Sequence, residues 1–586
     1  MTAYVAVVGA GGPDSMLPDG CVAALRLPGA SAATIHSVAG FSCAAAQTRP
    51  DSAGLFVAGP LVVVGDIRLD GRNDLLRALR GAGVATDAIS GAPNVPDDVA
   101  VVCSAYRTWG AQAVDRLRGD FSFALWDSDR RELVAARDGL GVRPLYHASV
   151  AGGLCVSNTL DAVRGHPGVG VALNASAVVS FLERGGNWDT STTTFAAIAR
   201  LAPGTLLVQG IGSSAPRVRT HWTIPDPAPL CYRRADDYVD HFRALLDEAV
   251  RDRITGPTLI LLSGGLDSTS IAATARRIAP ATELSALTTR MPAVEPRDEM
   301  DLAKAVALRL RMAHRSVDFD VVASPGDPMR TPEPFDDIEP TATAVFNDTL
   351  ARTAPVVLKG EDGDALFSPP ALSAMMRRES PLVVLGRVAA HTMRHWHHPY
   401  FGWWILRRVG LMPHRGSRPR PAWITAAPPP VHTPPPIRNA ARPEAAARLG
   451  LASWQTIHQS TDRAFTNAPI EFRWPLFDSR LLEFVFAIPA IPWCQRKFLL
   501  RRAFARELPE AVLRRPKTSI PGYFDAAVAE WRSRSGASFA PLHPHTREFV
   551  DPEQLAETFR IGDADDVFAG WRALSLDRWL RTLEAS

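Results

Sequence analysis

The chain has no apolar run that approaches the ~18 residues a membrane-spanning helix requires. Its opening stretch, Met1 to Gly9, has no basic segment ahead of its apolar residues. Both absences exclude a membrane protein or a signal-led one and predict a soluble, cytoplasmic chain. Cysteine is scarce: Cys21, Cys43, Cys103, Cys155, Cys231 and Cys494 are scattered with no C-x-x-C pair, so zinc sites and disulfide frameworks are poor readings and reduced thiols are expected. A formal net charge of +3 gives no electrostatic ground for a nucleic-acid partner. Lysine is scarcest: Lys304, Lys359, Lys497 and Lys517 are the only four among 64 basic residues. Arginine fills basic positions generally, so a retained lysine marks a place that needs a compact ammonium.

What is present divides in two. At 586 residues with 46% hydrophobic content, the chain can fill two sizeable cores. Residues 1–210 alternate short β-type runs (Tyr4–Val8, Leu61–Val64, Phe121–Leu125, Leu133–Ala136, Leu154–Ser157, Thr205–Val208) with Gly, Pro and Asp turns, which predicts a layered α+β domain. Residues 211–235, rich in Gly, Ser and Pro at their start, read as a linker. From 236 to 586, helical patterns such as Tyr238–Arg251 alternate with buried strands at Thr258–Leu262, Leu284–Thr288 and Val356–Leu358, which predicts a doubly wound α/β sheet. Its ligand belongs at the carboxyl ends of the strands.

That is where the most informative segment lies. Ser263, Gly264, Gly265, Leu266, Asp267 and Ser268 join the strand Thr258–Leu262 to the helical pattern Thr269–Arg277. A glycine-rich turn into a helix start gathers backbone N–H groups and the positive end of the helix dipole around a phosphate. Asp267 is tolerable there when a Mg²⁺ stands between it and the anion. The G-x-x-x-x-G-K-[ST] spacing is missing, so this is not the common P-loop.

SGGLDS resembles the pyrophosphate loop of the ATP pyrophosphatase group, and further segments resemble the asparagine synthetase superfamily. Leu117–Asp127 and Ala136–Tyr146 are similar to two signature strands of its glutaminase-type domain. Lys359–Asp364, Glu471–Asp478 and Arg515–Lys517 are similar to its synthetase motifs, in the same order. The resemblance spans most of the chain outside about residues 370–460. It implies an Ntn-type, class II glutaminase-like first domain and a second domain of the adenine nucleotide α hydrolase type, acting on ATP with Mg²⁺.

Glutamine-hydrolysing members carry a cysteine directly after the initiator methionine, whereas this chain has Thr2. Gly65–Asp70 stands where an Asn-Gly-Glu pattern is expected. The first domain therefore reads as a relic without ammonia to deliver, and an amine already present in the substrate is the natural nucleophile. Two branches of the superfamily work this way, the β-lactam synthetases and the lasso peptide cyclases. The insertion at 370–460, with its Trp- and His-rich stretch His391–Arg408 and Pro-rich stretch Pro413–Pro443, has the composition of a peptide-gripping surface. The lasso cyclase reading is preferred, with the small-substrate β-lactam type and an inactive peptide scaffold as alternatives. A leader-processed precursor peptide is then the substrate, a leader peptidase and a leader-binding protein the expected partners. His391 and His395, at i and i+4, lack the third ligand of a metal site.

The resemblance assigns roles. Ser263, Gly264, Gly265 and Ser268 hold pyrophosphate, while Asp267 and Asp364 anchor Mg²⁺. By position alone, Leu262 and Leu287, near the ends of adjacent strands, are candidates to border adenine with Gly360 nearby, and Lys497, at the head of a helix-like run, is expected to contact phosphate. Glu361 is the first candidate for the base that receives the amine proton and Glu471 the second. Lys517 stabilises the tetrahedral intermediate. Lys359, Asp362 and Ala365 depart from the usual Ser-Gly-Glu-Gly-x-Asp-Glu pattern and leave substrate contacts open.

Overall fold

The computed structural model describes residues 1–9, 17–48, 54–85, 97–290, 297–318, 330–337, 340–361, 363–395, 399, 419–427, 439–515, 525, 528–529, 531–533 and 539–584. Alternation along the strands decides the first domain's layers. Tyr4, Ala6 and Val8 of the strand Thr2–Val8 face one core, and Val5 and Val7 face another. In Gly119–Asp127, Ala124 and Trp126 join the first of these cores, while Phe121, Phe123 and Leu125 face a third. Side chains on a strand alternate between faces, so a strand apolar at every position is buried on both. Two antiparallel six-stranded sheets stack through the shared core, where Phe41 and Trp126 lie parallel with centroids 5.5 Å apart. Helices Arg72–Gly81 and Asp98–Trp109 cover the outer face of one sheet. All six strands read from the sequence are present. The stretch expected as a linker opens with a further strand, Arg217–Thr220, paired to Thr205–Gly210.

The outer face of the other sheet is covered from far along the chain. Leu555, Phe559, Trp571, Trp579 and Leu580, on helices Pro552–Ile561 and Ala564–Glu584, share one core with Val5, Val7, Phe181 and Phe195. Trp579 stands 5.8 Å from Phe195, and Arg572 donates to the carbonyl of Glu183 at 2.7 Å. The chain that builds the second domain thus returns to roof the first.

The second domain is a five-stranded parallel sheet ordered Ala313–Asp318, Leu284–Arg290, Thr258–Leu261, Val356–Leu358, Glu471–Arg473. The strand Thr258–Leu261 has the next strand in sequence on one side and a much later one on the other, so the order reverses beside it. Crevices that hold ligands open at such switch points, past the carboxyl ends of the strands. Arg253, 1% exposed, fastens the two domains: it donates to Asp70 of the first at 3.0 and 3.2 Å and to Asp478 of the second at 2.9 Å. Arg143 does the same from the opposite side, bridging Asp66 at 3.2 Å and Glu471 at 2.5 Å. Among the described residues no helix is long and apolar enough to cross a membrane.

Candidate functional site

The loop after Leu261 is shaped by its own serines. Ser268 Oγ accepts from the Ser263 N–H at 3.1 Å, the two hydroxyls meet at 2.9 Å, and the Gly265 N–H donates to Ser263 Oγ at 3.1 Å. Gly265 is the N-cap of the helix Leu266–Ile278 and makes no side-chain cap bond, so the positive helix end faces the loop. At Gly264 a Cβ would meet the Arg515 guanidinium and come within 3.0 Å of the Glu299 carbonyl oxygen. Arg515 is held in turn by Glu299 at 3.2 Å. On the facing strand end, a Cβ at Gly360 would strike the backbone of Ser268, and one at Gly363 would strike the Asp267 carboxylate. The segment after the strand Val356–Leu358 therefore packs directly on the start of the helix Leu266–Ile278, a close approach that glycine at 360 permits.

Asp267 and Asp364 come from different helices and meet at one cation. Lys497 Nζ lies 2.5 Å from Asp267 Oδ2 and 2.8 Å from Asp364 Oδ1. Burial works against the ammonium, but the two carboxylates outweigh it and hold the Lys497 pKa above its ordinary value. Arg496 and Lys497 both adopt left-handed backbone, φ 47° and 57°, just before the helix Phe498–Ala503. Such geometry costs about 1–3 kcal/mol per residue and persists where surroundings enforce it. The expected phosphate contact of Lys497 is thus, in this structure, a carboxylate contact at the edge of the phosphate loop. Two carboxylates converging on one cationic point fit Mg²⁺, which takes few protein ligands and fills its shell with phosphate oxygens and water. Among the described residues no cluster of three or more His, Cys, Asp or Glu forms a metal cage. The side chain of His395 lies outside them.

Leu262 and Leu287 are both core side chains, 2% and 1% exposed, with the Leu262 N–H bonded to the Leu287 carbonyl at 2.9 Å. They form the floor of the crevice. Thr288 secures that floor by donating to the Leu262 carbonyl at 2.7 Å, and its hydroxyl meets His314 Nε2 at 2.8 Å. Glu361 stands on the other wall, 45% exposed, paired with Lys359 at 2.8 Å.

The structure places Glu471 elsewhere. Its strand pairs Glu471 with Val356 and Arg473 with Leu358, so Glu471 sits two residues short of the carboxyl edge. Its carboxylate accepts two hydrogen bonds from Arg473, at 2.9 and 2.7 Å, and one from Arg143. Burial opposes its charge, yet Arg473 and Arg143 hold its carboxyl well below the usual range. A carboxylate so stabilised is a poor proton acceptor, and its position on the domain interface corrects the expectation that it serves as a base. Lys517, Asp362, Trp396, Trp403 and Trp404 lie outside the described residues. The sequence reading missed Arg515 as the wall against Gly264, although it stands in the quoted Arg515–Lys517 motif. It also missed the interdomain arginines, which no spacing distinguishes from surface ones.

The asparagine synthase family profile matches residues 241–581, and that of glutamine amidotransferase domains matches residues 93–222. A candidate glutamine-hydrolysing asparagine synthetase of Mycobacterium tuberculosis is 29% identical over 568 residues, covering 86% of this chain and 81% of its own. Asparagine synthetase 3 of Bacillus subtilis is 28% identical over 204 residues, 34% of this chain and 31% of its own. An amidase of Penicillium rubens is 32% identical over 180 residues, 30% of this chain and 26% of its own.

Proposed function

Because the chain belongs to the asparagine synthase family and is thereby an ATP-dependent carbon–nitrogen ligase, we propose that it closes a macrolactam in a leader-processed peptide, as lasso peptide cyclases do. A carboxylate oxygen of an Asp or Glu side chain in the peptide attacks the α-phosphorus of ATP, and the bond to pyrophosphate breaks. The peptide's α-amine then attacks the acyl carbon of the adenylate, the bond to AMP breaks, and the amine proton passes to a base. Ser263, Gly264, Gly265 and Ser268 bind the leaving pyrophosphate. Bound between Asp267 and Asp364, Mg²⁺ would neutralise charge on the phosphates. Glu361 receives the proton, and the role of stabilising the oxyanion falls to Lys517.

The observation that carries the adenylation half is the meeting of Asp267 and Asp364 at one cationic point beside the phosphate loop. The intramolecular amine is supported by the first domain. Thr2 is 2% exposed and its N–H donates to Asp66 at 3.1 Å, and the second domain's Glu471 is tied into the same ion cluster through Arg143. A leader peptidase and a leader-binding protein supply such a peptide in this reading.

The test supplies ATP, Mg²⁺ and linear candidate peptides with a free α-amine and an internal Asp or Glu. Pyrophosphate release with loss of one water from the peptide, and with no glutamate formed from added glutamine, is the expected result. Glutamate released in proportion to product would overturn the nitrogen source. Turnover of a small β-amino acid in place of every peptide would move the reading to the β-lactam synthetase type.

A further inference from the structure

Lys359 is the most buried half of an ion pair at the rim of the nucleotide crevice, and the mechanism above gives it no task. Its backbone N–H donates to the Arg473 carbonyl at 3.0 Å, which extends the strand Val356–Leu358 by one residue. Its ammonium lies 5.5 Å from the centre of the Phe472 ring and 2.8 Å from Glu361 Oε1. The next residue, Gly360, is pressed on the backbone of Ser268. Lys359 is thus fixed from behind by strand pairing and an aromatic face, with 15% of its side chain exposed, whereas the Glu361 side chain is 45% exposed. A pair this open adds about 0–1 kcal/mol to stability, a weak reason to keep one of four lysines in a chain where arginine is the standard cation.

We propose that Lys359 is a positioning residue for the amide-forming step, its ammonium holding the Glu361 carboxylate at the edge of the phosphate loop where the acyl adenylate must sit. This rests on the reading of Glu361 as the group that receives the amine proton. A free carboxylate on a flexible side chain samples several rotamers, and a neighbour fixed by its own backbone reduces that freedom at no cost at the moment of reaction. As the amine proton moves to Glu361, the Lys359 contact weakens, and product release restores it.

The experiment compares Lys359→Met, Lys359→Arg, Glu361→Gln and the Met/Gln double variant, using any carboxyl substrate that supports pyrophosphate release with the wild-type chain. Two nucleophiles are used, the substrate's own amine and hydroxylamine, which is neutral at pH 7 and captures an acyl adenylate without a base. Glu361→Gln is expected to slow amide formation by about 10²-fold, the usual scale for a general base, and Lys359→Met by about 10-fold. Hydroxamate yield and pyrophosphate exchange stay at the wild-type level in both. Lys359→Arg, which keeps a cation in reach of the carboxylate, recovers more rate than Met, and the double variant is no slower than Glu361→Gln. Losses that multiply in the double variant, or an equal fall in hydroxamate yield, overturn the proposal. A Glu361→Gln variant that forms amide at full rate overturns the base assignment itself and with it this role. If peptides fail but a small substrate is turned over, the macrolactam reading falls while the Lys359 test proceeds unchanged.

Discussion

The chain holds two clusters of charge built on opposite plans. At the domain interface Asp66, Asp70, Glu471 and Asp478 are each matched to an arginine and sealed, with Arg253, Arg143 and Arg473 at 1%, 4% and 3% exposure. At the nucleotide loop Asp267, Asp364 and Glu361 share two lysines, and their side chains are 16%, 42% and 45% exposed. In the first cluster every carboxylate is paired to an arginine of the protein itself. The second converges on the compact ammonium groups of Lys497 and Lys359 and stays partly open. Burial with a cation for every carboxylate serves assembly, and partial exposure with convergent geometry serves chemistry.

The contrast breaks most sharply at Asp267. Asp267→Ala removes one arm of the cation point and leaves Lys497 with Asp364 alone, so pyrophosphate exchange should fall by on the order of 10² or more. The folded state should survive, since partly exposed ion pairs contribute little to stability. Exchange assays beside circular dichroism check both halves. A variant that unfolds would mean this cluster too is structural.

Arg253→Met tests the opposite plan and is the next largest effect. It leaves Asp70 and Asp478 buried with one fewer cation, and removing one partner of a buried pair costs about 3–5 kcal/mol. Denaturant unfolding should show that loss, with pyrophosphate exchange per folded molecule near the wild-type value. A stability change under about 1 kcal/mol would show that Arg68 and Arg480, which also pair with these carboxylates, suffice.

The same contrast explains what the sequence could disclose. Strand periodicity and the SGGLDS turn were legible because local rules govern them: alternation marks buried strands, and glycines mark close backbone approach, whereas Gly360 and Asp364 were singled out only by the resemblance of their segment to a family motif. Phe41–Gln47 and Tyr146–Val150 were missed, the first because small residues such as Ala44, Ala45 and Ala46 carry weak β signal. The return of Trp571 and Trp579 to the first domain was not legible, because an amphipathic helix does not say which sheet it covers. Glu471 was misread for a related reason. Its partner Arg143 lies 328 positions away, and only the fold decides whether a carboxylate faces substrate or a guanidinium.

The finest distinction within the sealed cluster is pH. Glu471, held well below the usual range by arginines despite burial, stabilises the fold above about pH 4.3, its unfolded value, and that contribution is lost as pH falls through its lower folded value. Asp462 runs the other way. Burial raises its carboxyl to about 6, only partly offset by the Ala464 N–H it caps. A raised carboxyl favours the protonated form, so its contribution is complete below about pH 3.9 and is lost as pH rises through about 6. Asp462→Asn keeps an oxygen for the cap and removes the ionisation. The variant should therefore gain about 1–3 kcal/mol over wild type at pH 7.5 and little or nothing at pH 4. Unfolding curves across pH 4 to 8 read the difference directly. A gain independent of pH would mean Asp462 is neutral throughout, and a loss at pH 7.5 would mean its charge is paired as firmly as that of Glu471.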